Sequence, residues 1–164
     1  MEALENVYAG WRRKLMRYIA DTVDFELKEP TVVTLGKFDG RHRGHQKLLR
    51  TMEEVKESLG YATAIFTFST APLTLVTGEI ATVITTSEER RHNMEKMGID
   101  YLVEYPFTEE TRHMEPEAFV KDILAGRMHA REIVVGPDCS FGYKGAGNAE
   151  LLRKMGPEYG FETI

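Results

Sequence analysis

The 164-residue chain holds a single cysteine, Cys139. One thiol cannot close an internal disulfide or build a cysteine-based zinc site by itself, and so sparse a use of cysteine fits a reducing, cytoplasmic setting. No hydrophobic run approaches the roughly 20 residues that span a bilayer. The longest candidates, Tyr61 to Phe68 and Ala71 to Val76, are short and interrupted by Thr. Met1-Glu2-Ala3-Leu4-Glu5 lacks the basic-then-apolar order of a secretory signal. An excess of positive charge is missing too. Lys and Arg number 21 against 26 Asp and Glu, a formal net charge of −5. That speaks against a general nucleic-acid binder but leaves room for a local basic pocket. With membrane, nucleic acid and disulfide scaffold set aside, the size predicts one globular domain able to bury its own core. Oligomeric state has no signature in the sequence.

What is there alternates. Leu4, Val7, Tyr8, Trp11, Leu15, Tyr18 and Ile19 recur at helical spacing and predict an amphipathic helix within residues 1–29, packed on the domain with Arg12, Arg13, Lys14 and Arg17 on its solvated side. From residue 30 onward, strand-like and helical segments succeed one another. Thr31 to Leu35 is short, β-branched and apolar, as a buried strand should be. Leu48, Leu49, Met52 and Val55 mark a helix ending near Gly60, and Tyr61 to Phe68 reads as a second strand. Thr86-Ser87-Glu88-Glu89 has the form of a capping box opening a helix that stops at Gly98. Tyr101 to Tyr105 is a third strand, and Pro116 opens a helix with the stripe Phe119, Ile123 and Leu124. Ile133 to Val135 is a fourth strand, Asn148 starts another helix, and Phe161 to Ile164 begins a fifth strand. This order predicts an α/β fold: a Rossmann-like, open parallel sheet of about five strands with helices on both faces. In such sheets ligands bind beyond the carboxyl ends of the strands, where the glycine-rich loops after Leu35 and Val135 both fall.

The chemistry is concentrated in Gly36-Lys37-Phe38-Asp39-Gly40-Arg41-His42-Arg43-Gly44-His45. Gly36, Gly40 and Gly44 allow tight turning and close approach of backbone to a ligand. His42 and His45, three apart at a helix start, share one face. A helix N-terminus offers free N–H groups and partial positive charge, so the two imidazoles, with Lys37, Arg41 and Arg43, suit phosphate oxygens and the charge that they gain during transfer. An ordinary strand–turn–helix with surface histidines is the bland alternative. A zinc site lacks a completing carboxylate or cysteine, and a P-loop lacks its Gly-Lys-Ser/Thr. No metal site is read from the sequence. The second loop, Gly136 to Gly147, has four glycines and few evident apolar anchors, so it is expected to be mobile until a ligand binds.

The first segment resembles the Gly-x-Phe-Asp-Gly-x-His-x-Gly-His signature of bacterial FAD synthetases, within the wider His-x-Gly-His nucleotidyltransferases. Val135-Gly136-Pro137-Asp138-Cys139-Ser140-Phe141-Gly142 is similar to that family's Val-Gly-x-Asp-Phe-x-Phe-Gly, and Gly145-Ala146-Gly147-Asn148 to the glycine-rich stretch after it. Asp100-Tyr101, Pro106-Phe107-Thr108 and Glu117-Ala118-Phe119-Val120 also match, so the likeness covers roughly residues 30 to 164. It implies FMN adenylyltransfer: an FMN phosphate oxygen attacks the α-phosphorus of ATP, and pyrophosphate leaves, with Mg²⁺ on the polyphosphate. His42 and His45 would bind phosphates, with Asp39 as the third member of the catalytic set. Gly36, Lys37, Phe38, Gly40, Arg43 and Gly44 would hold ATP, while Asp138, Phe141 and Gly142 would line the flavin side.

The sequence departs from that pattern in places. Arg41 stands where the family has valine, and Cys139 where it has phenylalanine. Phe68-Ser69-Thr70-Ala71-Pro72 keeps only the last proline of a Pro-His-Pro element. The family's Ser-Ser-Thr-x-x-Arg motif and riboflavin kinase domain would follow Ile164, so residues 30–164 are expected to be a C-terminally incomplete nucleotidyltransferase domain without that kinase domain. Two alternatives stay open: a nucleotide- or flavin-binding module with weak or no activity, and a nucleotidyltransferase acting on another phosphorylated acceptor.

Overall fold

The computed structural model describes residues 15–36, 43–68 and 87–164. Along the chain run β1 (Arg17–Ala20), β2 (Thr31–Leu35), α1 (Arg43–Leu59), β3 (Ala62–Phe68), α2 (Ser87–Lys96) and β4 (Tyr101–Tyr105). They are followed by α3 (Glu109–Arg112), α4 (Pro116–Ala118), a π-helix (Phe119–Arg127), β5 (Ala130–Ile133), a 3₁₀ turn (Tyr143–Gly145), α5 (Ala149–Tyr159) and β6 (Glu162–Thr163). Several ends are set by single residues. Gly60, Gly98 and Gly160 take positive φ just past α1, α2 and α5, and the Asn148 side chain caps α5 by accepting from the Leu151 N–H at 2.9 Å.

Among the described residues the six strands form one all-parallel sheet in the order β1-β4-β3-β2-β5-β6. Side chains alternate across it. Val33, Ala64, Phe66, Val103 and Ile133 face one way, into a core closed by Phe119, Val120, Ile123 and Leu124 of the π-helix and Leu152 of α5. Val32, Ile65, Leu102 and Val134 face the other way, against Leu49 and Met52 of α1 and Met94 of α2. Both faces are therefore covered, which is why these strands read as near-continuous aliphatic runs.

Three features differ from the sequence-based expectation. The helical periodicity ending at Tyr18 and Ile19 is overruled at Arg17–Ala20, which adds a sixth strand to the edge of β4. There Tyr18 turns to one face, its hydroxyl donating to Glu104 at 2.7 Å, and Ile19 turns to the other, onto the main core. An open strand edge offers a ladder of backbone bonds that a local helix preference cannot match. Leu15, expected on the apolar face of that helix, is in no helix and is 77% exposed, while residues 1–14 and Thr86 of the expected capping box lie outside the described residues. The helix behind Pro116 is α-helical only for its first turn and then widens to i→i+5 bonding, ending with Met128 N–H on the Ile123 carbonyl at 2.9 Å. Its buried set pairs 119–120 with 123–124, broader than one α-helical stripe. The loop 136–147 has the apolar anchor that its glycines concealed: Phe141 is buried.

Candidate active site

The strand order reverses between β2 and β5. From β2 the chain steps through β3 to β4 on one side, then crosses to β5 on the other side of β2. Parallel neighbours point their carboxyl ends the same way, and Val33 pairs with Ile133. The segments that leave β2 and β5 therefore open side by side, and a crevice forms where two chains leave a sheet in opposite directions.

On the β2 side, Gly36 is exposed and its N–H donates to the Phe66 carbonyl at 3.1 Å. Lys37, Phe38, Asp39, Gly40, Arg41 and His42 lie outside the described residues. Arg43 and Gly44 form the first backbone positions of α1, and His45 follows in the same turn, half-buried. No acidic residue occupies that turn. The N–H groups at the head of this 17-residue helix keep their partial positive charge.

On the β5 side, loop 136–147 is a tight, internally bonded unit. Phe141 and Gly147 bridge in both directions, Gly147 N–H to Phe141 O at 2.7 Å and Phe141 N–H to Gly147 O at 3.2 Å. The Phe141 ring packs against Phe119 with centroids 5.5 Å apart, so of the three residues assigned to the flavin side it is turned into the core. Gly142 has φ +78, and a Cβ there would stand 2.7 Å from the Pro116 Cα; only glycine lets the loop lie on the start of α4. Asp138 is exposed at the tip. Burial pushes the Cys139 thiol up to about 11, which keeps it a neutral thiol at physiological pH.

A further part of the rim was not foreseen from sequence. Phe68, at the carboxyl end of β3, and Phe107, just past β4, meet edge to face with centroids 4.9 Å apart, both half-buried. Phe68 also touches Phe66, which touches Phe119, so an aromatic chain links this rim to Phe141. The signal available was the family-like Pro106-Phe107-Thr108, but nothing local to it reveals the contact with Phe68.

The sequence profile of the FAD synthetase family matches residues 24–164. The chain belongs to the FAD synthetase family. Its relatives include bifunctional riboflavin kinase/FMN adenylyltransferases of Buchnera aphidicola (31% identical over 85% of this chain and 45% of that protein) and Escherichia coli K12 (31% over 82% and 44%). One from Listeria monocytogenes is 33% identical over 75% of this chain and 40% of that protein. The chain thus spans a little under half the length of these relatives. Among solved structures, that of a macrolide-efflux protein from Streptococcus pneumoniae superposes with a TM-score of 0.79 at 25% identity, over 92% of this chain and 57% of that one. Among the described residues of this FAD synthetase-family chain, no helix is long and apolar enough to cross a membrane.

Proposed function

We propose that this domain transfers the AMP part of ATP to FMN, forming FAD and releasing pyrophosphate. Family membership supports this reading, and the observation that carries it is the β2–β5 switch point, where Gly36 leaves β2, His45 stands in the first turn of α1, and loop 136–147 leaves β5. An FMN phosphate oxygen forms a bond to the α-phosphorus. The bond from that phosphorus to the bridging oxygen of pyrophosphate breaks, and the leaving group takes the electron pair. The nucleophile is already anionic at neutral pH, so no strong base is required. The protein's contribution is alignment and neutralisation of charge. His42, His45 and the head of α1 would bind the phosphates, Asp39 and the Gly36–Gly44 backbone would shape the ATP pocket, and Asp138 with Gly142 would border the flavin. Phe141 would act from the core, holding Gly142 and its neighbours in place. Mg²⁺ enters on the polyphosphate, as part of the substrate. With its lone cysteine the protein suits the cytoplasm.

The test is FAD formation from FMN, ATP and Mg²⁺ by the 164-residue chain, with pyrophosphate measured in parallel. Equimolar FAD and pyrophosphate support the reading. Binding of both substrates without product favours the binding-module alternative, and binding of neither overturns the proposal.

A further inference from the structure

Thr34 is an anomaly in its row of the sheet. Across the face toward α1, the row runs Leu102 of β4, Ile65 of β3, Thr34 of β2 and then Val134, which donates to the Val33 carbonyl at 2.8 Å beyond β5. Leu102, Ile65 and Val134 are buried aliphatics; Thr34 is equally buried, at 0% exposure. Its Oγ1 finds no hydrogen-bond partner among the described residues. Thr31, on the same strand, places its hydroxyl 2.7 Å from the Met128 carbonyl. A valine would fill the position of Thr34 with the same shape and no unmade hydrogen bond.

The surroundings show what the hydroxyl could serve. Two residues on from Thr34 and from Val134, on the same face, are Gly36 and Gly136, so neither of these two backbone positions places a side chain over Thr34. A Cβ placed on Gly136 would meet nothing within 4 Å. Across from Thr34 is α1. Leu49 and Met52 pack on Val32 and Ile65, and α1 runs antiparallel to β2, as the crossover to parallel β3 requires. His45 is one turn before Leu49 on the same side of the helix, about 6 Å nearer its N-terminus. Thr34 is two residues after Val32, about 7 Å nearer the carboxyl end of the strand. The two displacements are similar and run the same way, so His45 and Thr34 both lie toward the carboxyl end of the sheet on its α1 face.

We propose that Thr34 is a positioning residue for His45: in the phosphate-bound state its hydroxyl hydrogen-bonds the imidazole and holds the ring with its other nitrogen toward the anion. The inference rests on the phosphate role of His45 proposed above. The bond fixes the ring and favours its charged form, so it acts on affinity for polyphosphate through His45 rather than by touching the ligand.

The test uses the whole chain with Thr34→Val, Thr34→Ala and Thr34→Ser. It measures thermal unfolding, affinity for ATP and for pyrophosphate, and the NMR titration of the His45 ring with pyrophosphate present. Thr34→Val is expected to unfold at a higher temperature than wild type yet bind ATP on the order of tenfold more weakly, with the His45 titration moved to lower pH. Thr34→Ala should lose the same affinity despite its different packing, and Thr34→Ser should restore affinity and titration. Affinity and titration unchanged in the Val and Ala variants overturn the inference alone, as does a Ser variant as weak as the Val variant. A wild-type protein that binds neither ATP nor pyrophosphate overturns the phosphate reading, and the inference with it.

Discussion

Gly147 lies so close beneath the Phe141 ring that a Cβ on it would stand 2.4 Å from Cε2 of that ring. The pair also share two backbone hydrogen bonds, so neither residue can move without the other. Gly147→Ala should therefore push Phe141 off Phe119 and cost about 1–3 kcal/mol, the range for overpacking a filled site. Gly136→Ala is the control. It has open space for its Cβ, and stability should hold within about 0.5 kcal/mol. Denaturant unfolding of both variants checks this. A loop 136–147 that was mobile before ligand binding would make the Gly147 variant as harmless as the control.

Glu132 stands in register with Glu162 on β6, buried, with Oε2 lacking a partner among the described residues. Desolvation first, and the neighbouring Glu162 charge second, hold its carboxyl above the usual 4.5. A folded-state value above the unfolded one means that the native protein binds this proton more tightly. The side chain therefore costs little at low pH, and its cost grows as pH rises past 4.5. Glu132→Gln should stabilise the protein at pH 8, by about 1 kcal/mol or more if the unmet charge is the main cost, and make no difference near pH 4. Unfolding free energies at the two pH values test the sign; equal effects at both would contradict it.

Arg90 of α2 reaches Glu104 of β4 at 2.9 Å, with the carboxylate only 3% exposed and the Tyr18 hydroxyl donating from its other side. Desolvation, then the bond to Glu104, raises Tyr18 to about 12, so it stays a donor across the stable pH range. Arg90→Leu should destabilise by about 3–5 kcal/mol because it strands a buried charge. Adding Glu104→Gln should recover part of that loss, since an amide needs no counter-charge. A double variant no better than the single one would show that packing, not charge, held α2 in place.

His42→Ala and His45→Ala should each weaken ATP binding by about 1–3 kcal/mol, the worth of a charge-assisted contact. Thermal unfolding of the His42 variant should stay near wild type. Calorimetric titration with ATP measures both, and unchanged affinity in the pair would remove the phosphate role from this segment.

The sequence by itself determined the parallel α/β fold and pointed to the segment where the site is proposed. Runs such as Thr31 to Leu35 are too short and too β-branched to be helices, and regular alternation of strands with helical segments is the pattern of a parallel sheet. Gly36 to His45 announces a strand–turn–helix suited to phosphate because glycine spacing and helix-start chemistry are local properties. What only the tertiary structure decided depends on neighbours distant in sequence. Tyr18 and Ile19 became a strand because β4 had an open edge to fill. Phe141 went into the core because Phe119, 22 residues earlier, waits beneath it. Thr34 reads locally as one more β-branched strand residue. It stands out only once Ile65 and Val134 are seen on either side of it, and α1 overhead, because an unmade hydrogen bond is a property of the surroundings and not of the residue.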